Sequence, residues 1–245
     1  MSAGFFPTNV NDGCIGLFNG DATKPSDTTV FMTPGCNHPQ GEHDPFFYHK
    51  VEWVDMDGDG DLDMVTARVI NDGPIDPVDQ DLLWFENTHK PTTARPWPMH
   101  RVAAPNKADV FFDVGMLPKF DGSAGTQKVI AVGAFYGQEL TLVWSEDPND
   151  NWKNEAMQKS VTIDTAGWYF DVEFHDINKN RDLDLFASTW SRSGENGKTI
   201  AYERIGTDWR KPESWATREI YTRFPTFANA GFGSPGGFDF AVSLF

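Results

Sequence analysis

The chain has 245 residues, of which 39% are hydrophobic and 14% aromatic, so it can bury a sizeable core in one or two domains. Its formal net charge of −16 excludes nucleic acid and anionic membrane surfaces as favoured partners. No apolar run is long enough to span a bilayer, and the first seven residues lack the basic start and apolar stretch of a signal peptide.

The first 40 residues predict a short hairpin. Residues 15–19 and 29–33 carry β-branched and aromatic side chains, and turn-forming residues separate the two runs. Cys14 and Cys36 flank this hairpin and would face each other near its open end, within reach of a disulfide bond. Two buried free thiols explain the same pair equally well.

A segment with several acid and base groups follows the hairpin. These groups are His38, Glu42, His43, Asp44 and His49. Imidazole and carboxylate groups this close together can bind a transition metal or act as general acid and base. An ordinary polar loop explains them as well, and the sequence has no Gly-X-Ser-X-Gly, His-Glu-X-X-His or phosphate-binding glycine motif. We therefore predict no catalytic residue, and an enzyme is the less favoured class.

Residues 55–63 form an aspartate-rich run that predicts a calcium-binding loop. Side-chain oxygens at positions 1, 3, 5 and 9 of the run, with the main-chain carbonyl at position 7, can converge on one hard cation. The predicted ligands are Asp55, Asp57, Asp59, Asp61 and Asp63. Without a cation, these five carboxylates would repel one another. Gly60, at position 6, supplies the tight turn.

The flanks of this loop distinguish it from an EF-hand. An EF-hand needs helices on both sides and a bidentate glutamate at position 12, where this chain has Thr66. Residues 47–54 and 64–69 are instead rich in β-branched and aromatic residues, so the loop joins two predicted strands. Two further strands, at residues 82–86 and 99–103, complete a predicted unit of four.

Three short patterns recur in one order about every 60 residues, which indicates an internal repeat. They stand at residues 51–55, 114–118 and 172–176, at 84–86, 144–146 and 201–203, and at 100–102, 158–161 and 217–220. Four antiparallel strands in a unit of this length are typical of a propeller blade. Because one blade has two apolar faces, blades must pack around an axis to bury them.

A second aspartate-containing loop occupies the equivalent place in the third unit. Its oxygen-bearing residues keep the spacing of the first loop, at Asp176, Asn178, Asn180, Asp182 and Asp184. Arg181 stands where the first loop has Gly60, and arginine is strained in a left-handed backbone. We therefore expect weaker calcium binding here, or a loop held by hydrogen bonds alone. The middle unit has residues 118–122 in this place and is expected to bind no ion.

The fold prediction is an all-β protein, a single β-propeller domain with about three and a half blades of four antiparallel strands. Its parts are a half-blade at residues 1–40, blades at 41–105, 106–163 and 164–222, and the start of a further blade at 223–245. A closed four-bladed ring, a fragment of a larger propeller and a ring made by two copies all fit this count. Unpaired strand edges at both ends make closure or self-association an expectation.

The first strand of each blade would line the central channel of a propeller. If side chains alternate strictly, Lys50, Asp113 and Asp171 share one level, and Glu52 and Glu173 share the next. Such an acidic channel mouth suits a cation or a polyhydroxylated ligand such as a sugar. Ordinary water-filled channel lining is the preferred interpretation.

The motif Asp-X-[Asp/Asn]-X-[Asp/Asn]-Gly-X-X-Asp between two strands, with a Trp-Phe-Glu-like strand after it, resembles the FG-GAP/VCBS repeats of β-propeller proteins. The resemblance covers residues 41–245, and the first loop carries it most specifically. It implies that both loops bind Ca²⁺ through the residues named above and hold the first two strands of a blade together. The family includes adhesion-receptor headpieces, sugar-binding lectins and a few sugar-modifying lyases, and the fold alone does not choose among them.

The sequence thus predicts a calcium-binding propeller that acts as a binding or scaffolding module, with a glycan or a protein as ligand. A sugar lyase or dehydratase on the same fold, using His38, His43 or His49, is the alternative. A calcium loop favours an extracellular or otherwise calcium-rich setting. The compartment, the ligand and the number of blades in the working assembly stay open.

Overall fold

A computed structural model describes residues 15–18, 29–31, 46–71, 77–88, 97–103, 111–165, 167–190 and 197–224. This part of the chain is all-β, with three four-stranded antiparallel sheets, a two-stranded hairpin and two single-turn 3₁₀ helices. Within these ranges, no helix has the length and apolar character needed to cross a membrane. The predicted all-β class is therefore confirmed, while the propeller arrangement stays a prediction.

The described strands are numbered β1 to β14 in chain order. Their bounds are β1 Gly16–Phe18, β2 Thr29–Phe31, β3 Phe47–Val54, β4 Asp63–Asn71, β5 Pro77–Phe85, β6 Met99–Arg101, β7 Phe111–Pro118, β8 Thr126–Ala134, β9 Glu139–Ser145, β10 Gln158–Asp164, β11 Trp168–His175, β12 Asp184–Trp190, β13 Gly197–Arg204 and β14 Trp215–Phe224. The 3₁₀ helices are Glu155–Met157 and Pro212–Ser214. Strands β1 and β2 pair antiparallel, which confirms the predicted hairpin. Cys14 and Cys36 lie outside the described residues.

Each four-stranded sheet is a meander whose strands are paired in chain order. The orders are β3-β4-β5-β6, β7-β8-β9-β10 and β11-β12-β13-β14. The recurring sequence patterns fall at equivalent places, towards the end of the first strand, at the end of the third strand and in the fourth strand. The sequence repeat is therefore a repeat of four-stranded antiparallel sheets.

The second strand of a sheet is buried on both faces. Strand β8 is buried from its second residue to its last, and β12 is buried along its whole length. Their sequences accordingly run through apolar and small residues in succession instead of alternating with charged ones. A sheet of this kind needs apolar cover on both sides, as the repeat predicted.

The chain divides into two compact units. Unit 1 contains Met1–Val110 and Ser145–Gln158, and unit 2 contains Phe111–Trp144 and Lys159–Phe245. The core of unit 1 contains Ile15, Tyr48, Met64, Leu83 and Phe85. The prediction of a single domain stays a prediction.

The first strands of the two sheets in unit 2 lie against each other. Strand β11 contacts both β7 and β8. A Cβ atom on Gly115 of β7 would come within 2.5 Å of the Phe174 ring, so only glycine allows this close approach. Asp113 of β7 accepts a hydrogen bond at Oδ2 from the main-chain N–H of Phe174, at 2.7 Å. The Asp113 carboxylate thus ties one sheet to the next.

The predicted channel levels required strict alternation along the first strands, and two of these strands contain irregularities. The pairing of β3 shifts register between Tyr48 and Val51, and that of β11 shifts between Tyr169 and Asp171. Such bulges turn the residues that follow relative to the regular pleat. Because the five predicted residues are divided between the two units, their shared levels stay a prediction.

Candidate metal centre

The first aspartate-rich loop connects β3 to β4, as predicted. Its backbone is left-handed at two positions, with φ of 81° at Gly58 and 96° at Gly60. Glycine adopts this conformation without the steric cost that a Cβ atom brings. The requirement at Gly60 is therefore confirmed, and the one at Gly58 was not predicted.

Main-chain N–H groups of the loop donate to its own aspartate side chains. Asp55 accepts at Oδ1 from Gly58, at 2.8 Å, and at Oδ2 from Gly60, at 3.0 Å. Two further bonds of this kind run from the N–H of Asp59 to Asp57 Oδ1 and from the N–H of Asp61 to Asp59 Oδ1. The loop therefore keeps its carboxylates turned towards its own backbone.

Asp63 lies fully buried at the base of the loop. Its Oδ2 accepts from the N–H of Met56, and its Oδ1 accepts from the N–H of Asn87, each at 2.8 Å. Burial, together with the charges of Asp57 and Asp59, raises the pKa of Asp63 to about 6 against the lowering effect of the two N–H donors. Asp63 thus joins the loop to the end of β5 and lies in a strongly negative environment.

Three of the predicted ligands converge on one point. Carboxylate oxygens of Asp55, Asp57 and Asp63 all lie within 4.8 Å of one another. Oxygens that bind the same calcium ion at about 2.3–2.6 Å are separated by distances of this order. Asp59 is exposed, and Asp61 was predicted to contribute its main-chain carbonyl. In the described part of the chain, no other group of three His, Cys, Asp or Glu side chains converges in this way.

A segment that sequence reasoning missed packs on the loop. We call it the connector and define it as residues 145–158, from the last residue of β9 to the first residue of β10. It belongs to unit 1 together with the loop. Asn151 donates from Nδ2 to the main-chain oxygen of Asp57 at 2.9 Å, and the N–H of Trp152 donates to the carbonyl of Met56 at 3.2 Å. The Trp152 side chain is fully buried. The loop is therefore held from outside its own hairpin.

The connector also brings a cation to the loop. The Lys153 ammonium nitrogen lies 2.6 Å from Asp57 Oδ2 and 3.2 Å from Glu86 Oε1. The hydrogen bond to Asp57 raises the pKa of Lys153. Burial raises the pKa of Asp57, but the bonds from Lys153 and from the Asp59 N–H, together with the lysine charge, hold it below its ordinary value. Asp57 is therefore ionised and paired.

Glu86 extends this ion pair into a chain of polar contacts. Its Oε2 lies 2.9 Å from His100 Nε2, so one carboxylate contacts both Lys153 and His100. The His100 ring stacks on Trp84, with centroids 4.2 Å apart. Contacts thus run from Asp57 through Lys153 and Glu86 to β6.

The second loop connects β11 to β12 and repeats the hydrogen bonding of the first. Asp176 accepts from the N–H of Arg181 at 2.8 Å, as Asp55 does from Gly60, and its other donor is the N–H of Asn180, at 3.0 Å. Buried Asp184 accepts from Ile177 and Arg204 N–H groups, at 3.0 and 2.8 Å, as Asp63 does. The two loops therefore have one architecture.

The left-handed positions of the second loop carry long side chains. The φ angle is 62° at Lys179 and 74° at Arg181, where the first loop has Gly58 and Gly60. The predicted left-handed backbone at position 6 is therefore confirmed, with arginine accepting the strain.

The second loop is surrounded by more positive charge than the first. Asn178 accepts the N–H of Asn180 and donates from Nδ2 to Glu203 Oε1 at 2.7 Å. The buried Arg204 guanidinium forms an ion pair with Asp182. This loop contains three aspartates and two cationic residues, Lys179 and Arg181, and Arg204 lies beside it. The first loop has five aspartates and Lys153.

The remaining predictions concern the acid and base groups at residues 38–49 and the turn of the middle unit. His38, Glu42, His43 and Asp44 lie outside the described residues, and His49 is half-buried on β3. The turn of the middle unit holds Asp121, whose carboxylate accepts from the N–H of Ser123 at 2.8 Å. No protein-family model matches the chain, and neither the curated proteins nor the solved structures contain a significant match to it.

Proposed function

We propose that the chain is a calcium-stabilised β-propeller whose first loop binds one Ca²⁺ ion. The observation that carries this proposal is the convergence of carboxylate oxygens from Asp55, Asp57 and Asp63 within 4.8 Å. Like charges this close disfavour the ion-free fold, and the charges of Asp57 and Asp59 add to the effect of burial in raising the pKa of Asp63. A divalent cation would offset it.

The first loop offers oxygen ligands of the kind that calcium prefers. Asp55, Asp57, Asp59 and Asp63 would hold the ion with carboxylate oxygens, and Asp61 would add its main-chain carbonyl. The bound ion would supply positive charge that locks the β3–β4 hairpin. Its stabilising effect would grow with the ratio of calcium concentration to dissociation constant.

For the second loop we propose weaker binding. Asp176, Asn178, Asn180, Asp182 and Asp184 would be the ligands. Two of these are neutral, and Arg204 already compensates the charge of Asp182. The loop keeps the shape of the first through its own hydrogen bonds. The attraction for calcium would therefore be weaker at this loop than at the first loop.

The arrangement of the sheets supports the propeller. Three meanders of four strands follow one another along the chain, each with its first strand at one edge. In unit 2, β11 packs against β7 and β8 of the preceding sheet, and Asp113 ties the two first strands together. Blades in a propeller have their first strands next to one another in this way.

We assign the propeller a binding or scaffolding role in a calcium-rich, extracellular setting, with a glycan or a protein as ligand. Three carboxylates of the described residues have structural partners. Asp63 and Asp113 accept main-chain N–H groups, and Glu86 is paired with Lys153 and His100. Calcium in this role is structural.

The calcium proposal is tested by thermal unfolding of the full chain in EDTA and in calcium. Calcium should raise the melting temperature, and the double change Asp57→Ala with Asp59→Ala should abolish the difference. Asp121→Ala, in the turn that should bind no ion, is the matched control and should keep the full difference. A wild-type chain that melts at the same temperature in both solutions would refute the proposal.

A further inference from the structure

We propose that Lys153 is a built-in competitor of calcium at the first loop, pairing with Asp57 when the ion is absent and moving to Glu86 when it binds. This inference rests on the calcium function proposed above. The lysine ammonium and a calcium ion would both be drawn to the same carboxylate, Asp57.

The geometry places the ammonium on the carboxylate that calcium needs. Lys153 Nζ lies 2.6 Å from Asp57 Oδ2, and Asp57 Oδ2 belongs to the carboxylate that converges with Asp55 and Asp63. Two cations cannot share this position without strong repulsion, because both charges would lie within a few ångström in a partly buried site. Calcium binding therefore has to displace the lysine or tolerate its charge.

Lys153 is the partner that can move. Its side chain is 41% exposed, whereas that of Asp57 is 2% exposed. The lysine stem therefore reaches the loop from the solvent side, and its head group can swing without opening the core. Displacement requires no unfolding of the loop.

The connector stays anchored when the ammonium leaves. Asn151 and Trp152 hold it to main-chain atoms of the loop. At its other end, Gln158 accepts from the N–H of Ala103 at 2.6 Å and donates to the carbonyl of Trp152 at 2.8 Å. None of these bonds involves the lysine side chain, so the competition is local to Lys153.

Glu86 provides the second position for the ammonium. Its Oε1 is already 3.2 Å from Lys153 Nζ, while its Oε2 contacts His100. A displaced lysine would therefore keep one carboxylate partner. Removing the Glu86 charge should hold the ammonium more firmly at Asp57 and so weaken calcium binding.

Calorimetric titration of the full chain with calcium chloride tests this exchange. Lys153→Met should bind calcium about tenfold more tightly than wild type, because the competing charge is gone. The same variant should melt at a lower temperature in EDTA, since buried Asp57 then lacks its ion-free partner. Lys211→Met, which removes an exposed lysine paired with Asp208, is the matched control and should leave the calcium affinity unchanged.

A double-mutant comparison separates exchange from simple charge effects. Glu86→Gln should weaken calcium binding in the wild-type chain, and it should weaken it less in a chain that already carries Lys153→Met. Equal effects in both backgrounds would show that Glu86 acts on calcium without the lysine. That result would overturn the role of Glu86 as the second position.

The outcomes separate this inference from the function on which it rests. If wild type binds calcium and Lys153→Met binds it no more tightly, the competition is wrong and the calcium site stands. If wild type binds no calcium, both are wrong. Lys153→Gln serves as a second neutral variant if the methionine variant fails to fold, and weaker binding by either one would make Lys153 a supporting residue instead of a competitor.

Discussion

Arg181 illustrates how a single residue can hold a conformation that suits another amino acid better. Its φ of 74° lies in the left-handed region, and the side chain is exposed. In the first loop, Gly60 takes the same position with φ of 96°. The strain at a non-glycine residue of this kind costs of the order of 1 kcal/mol.

We expect Arg181→Gly to stabilise the chain by about 0.5–1 kcal/mol, because glycine adopts the left-handed backbone without strain. Urea unfolding in EDTA measures this change in the free energy of unfolding. Lys159→Gly is the matched control, since Lys159 is exposed on β10 in extended backbone and should lose stability on the same substitution. A loss of stability with Arg181→Gly would contradict the strain argument.

Tyr202 forms the centre of a buried chain of hydroxyl contacts. Its hydroxyl lies 2.9 Å from that of Tyr169 and donates to Asp164 Oδ2 at 2.8 Å. Burial raises the pKa of Tyr202, and the neighbouring Tyr169 and Asp164 raise it further. The neutral phenol is therefore the form that the folded chain stabilises.

We expect Tyr202→Phe to cost about 1–2 kcal/mol near neutral pH, because buried Tyr169 and half-buried Asp164 each lose a hydrogen bond. A raised folded pKa contributes stability that is fully present below the ordinary tyrosine pKa of about 10 and is lost as pH rises above it. Wild type should therefore lose more stability than Tyr202→Phe when the pH rises from 8 to about 11, in urea unfolding at each pH. Parallel losses in the two proteins would show that Tyr202 ionises normally in the fold.

Elements of the fold were predictable where the information is local. The aspartate spacing and its flanking strands predicted a loop between β3 and β4, and the repeat predicted the four-strand meander, because both follow from neighbouring residues. The irregularities in β3 and β11 were not predictable, since a bulge depends on the partner strand. Lys153 was also missed. Its contact with Asp57 joins residues almost a hundred positions apart, and an isolated lysine carries no motif.

The connector is an element whose stability depends on one buried glutamine. Gln158 bonds to main-chain groups of Ala103 and Trp152, and it thereby fixes the segment that carries Lys153. Replacing it removes an acceptor and a donor at once. The main-chain carbonyl of Trp152 would then be buried without this donor.

We expect Gln158→Ala to lower the free energy of unfolding by about 2 kcal/mol in EDTA. It should also weaken calcium binding, because the connector no longer steadies the loop through Asn151. Lys159→Ala is the adjacent exposed control and should change the free energy of unfolding by less than about 0.5 kcal/mol. Urea unfolding and calcium titration provide the two readouts. An effect no larger than that of Lys159→Ala would show that the connector does not support the metal centre.

At the scale of the whole molecule, the net charge affects both the stability of the fold and its attraction for calcium. The formal net charge is −16, and five of the acidic groups lie in the first loop. Self-repulsion of this size destabilises a compact state and attracts divalent cations from solution. Salt screens both effects, since the screening length falls to about 10 Å at 0.1 M ionic strength.

We therefore expect sodium chloride to have opposite effects on the melting temperature in EDTA and on the gain in melting temperature that calcium gives. In EDTA, raising the salt from about 0.02 M to about 0.5 M should raise the melting temperature, because screening weakens the repulsion among carboxylates. The gain in melting temperature from a fixed calcium concentration should shrink over the same range, because screening also weakens the attraction of the loop for the ion. The variant with Asp57→Ala and Asp59→Ala should keep the first response and lack the second, since its net charge stays strongly negative while the binding carboxylates are gone. A calcium gain that is independent of salt would mean that charge is not what draws the ion to the loop.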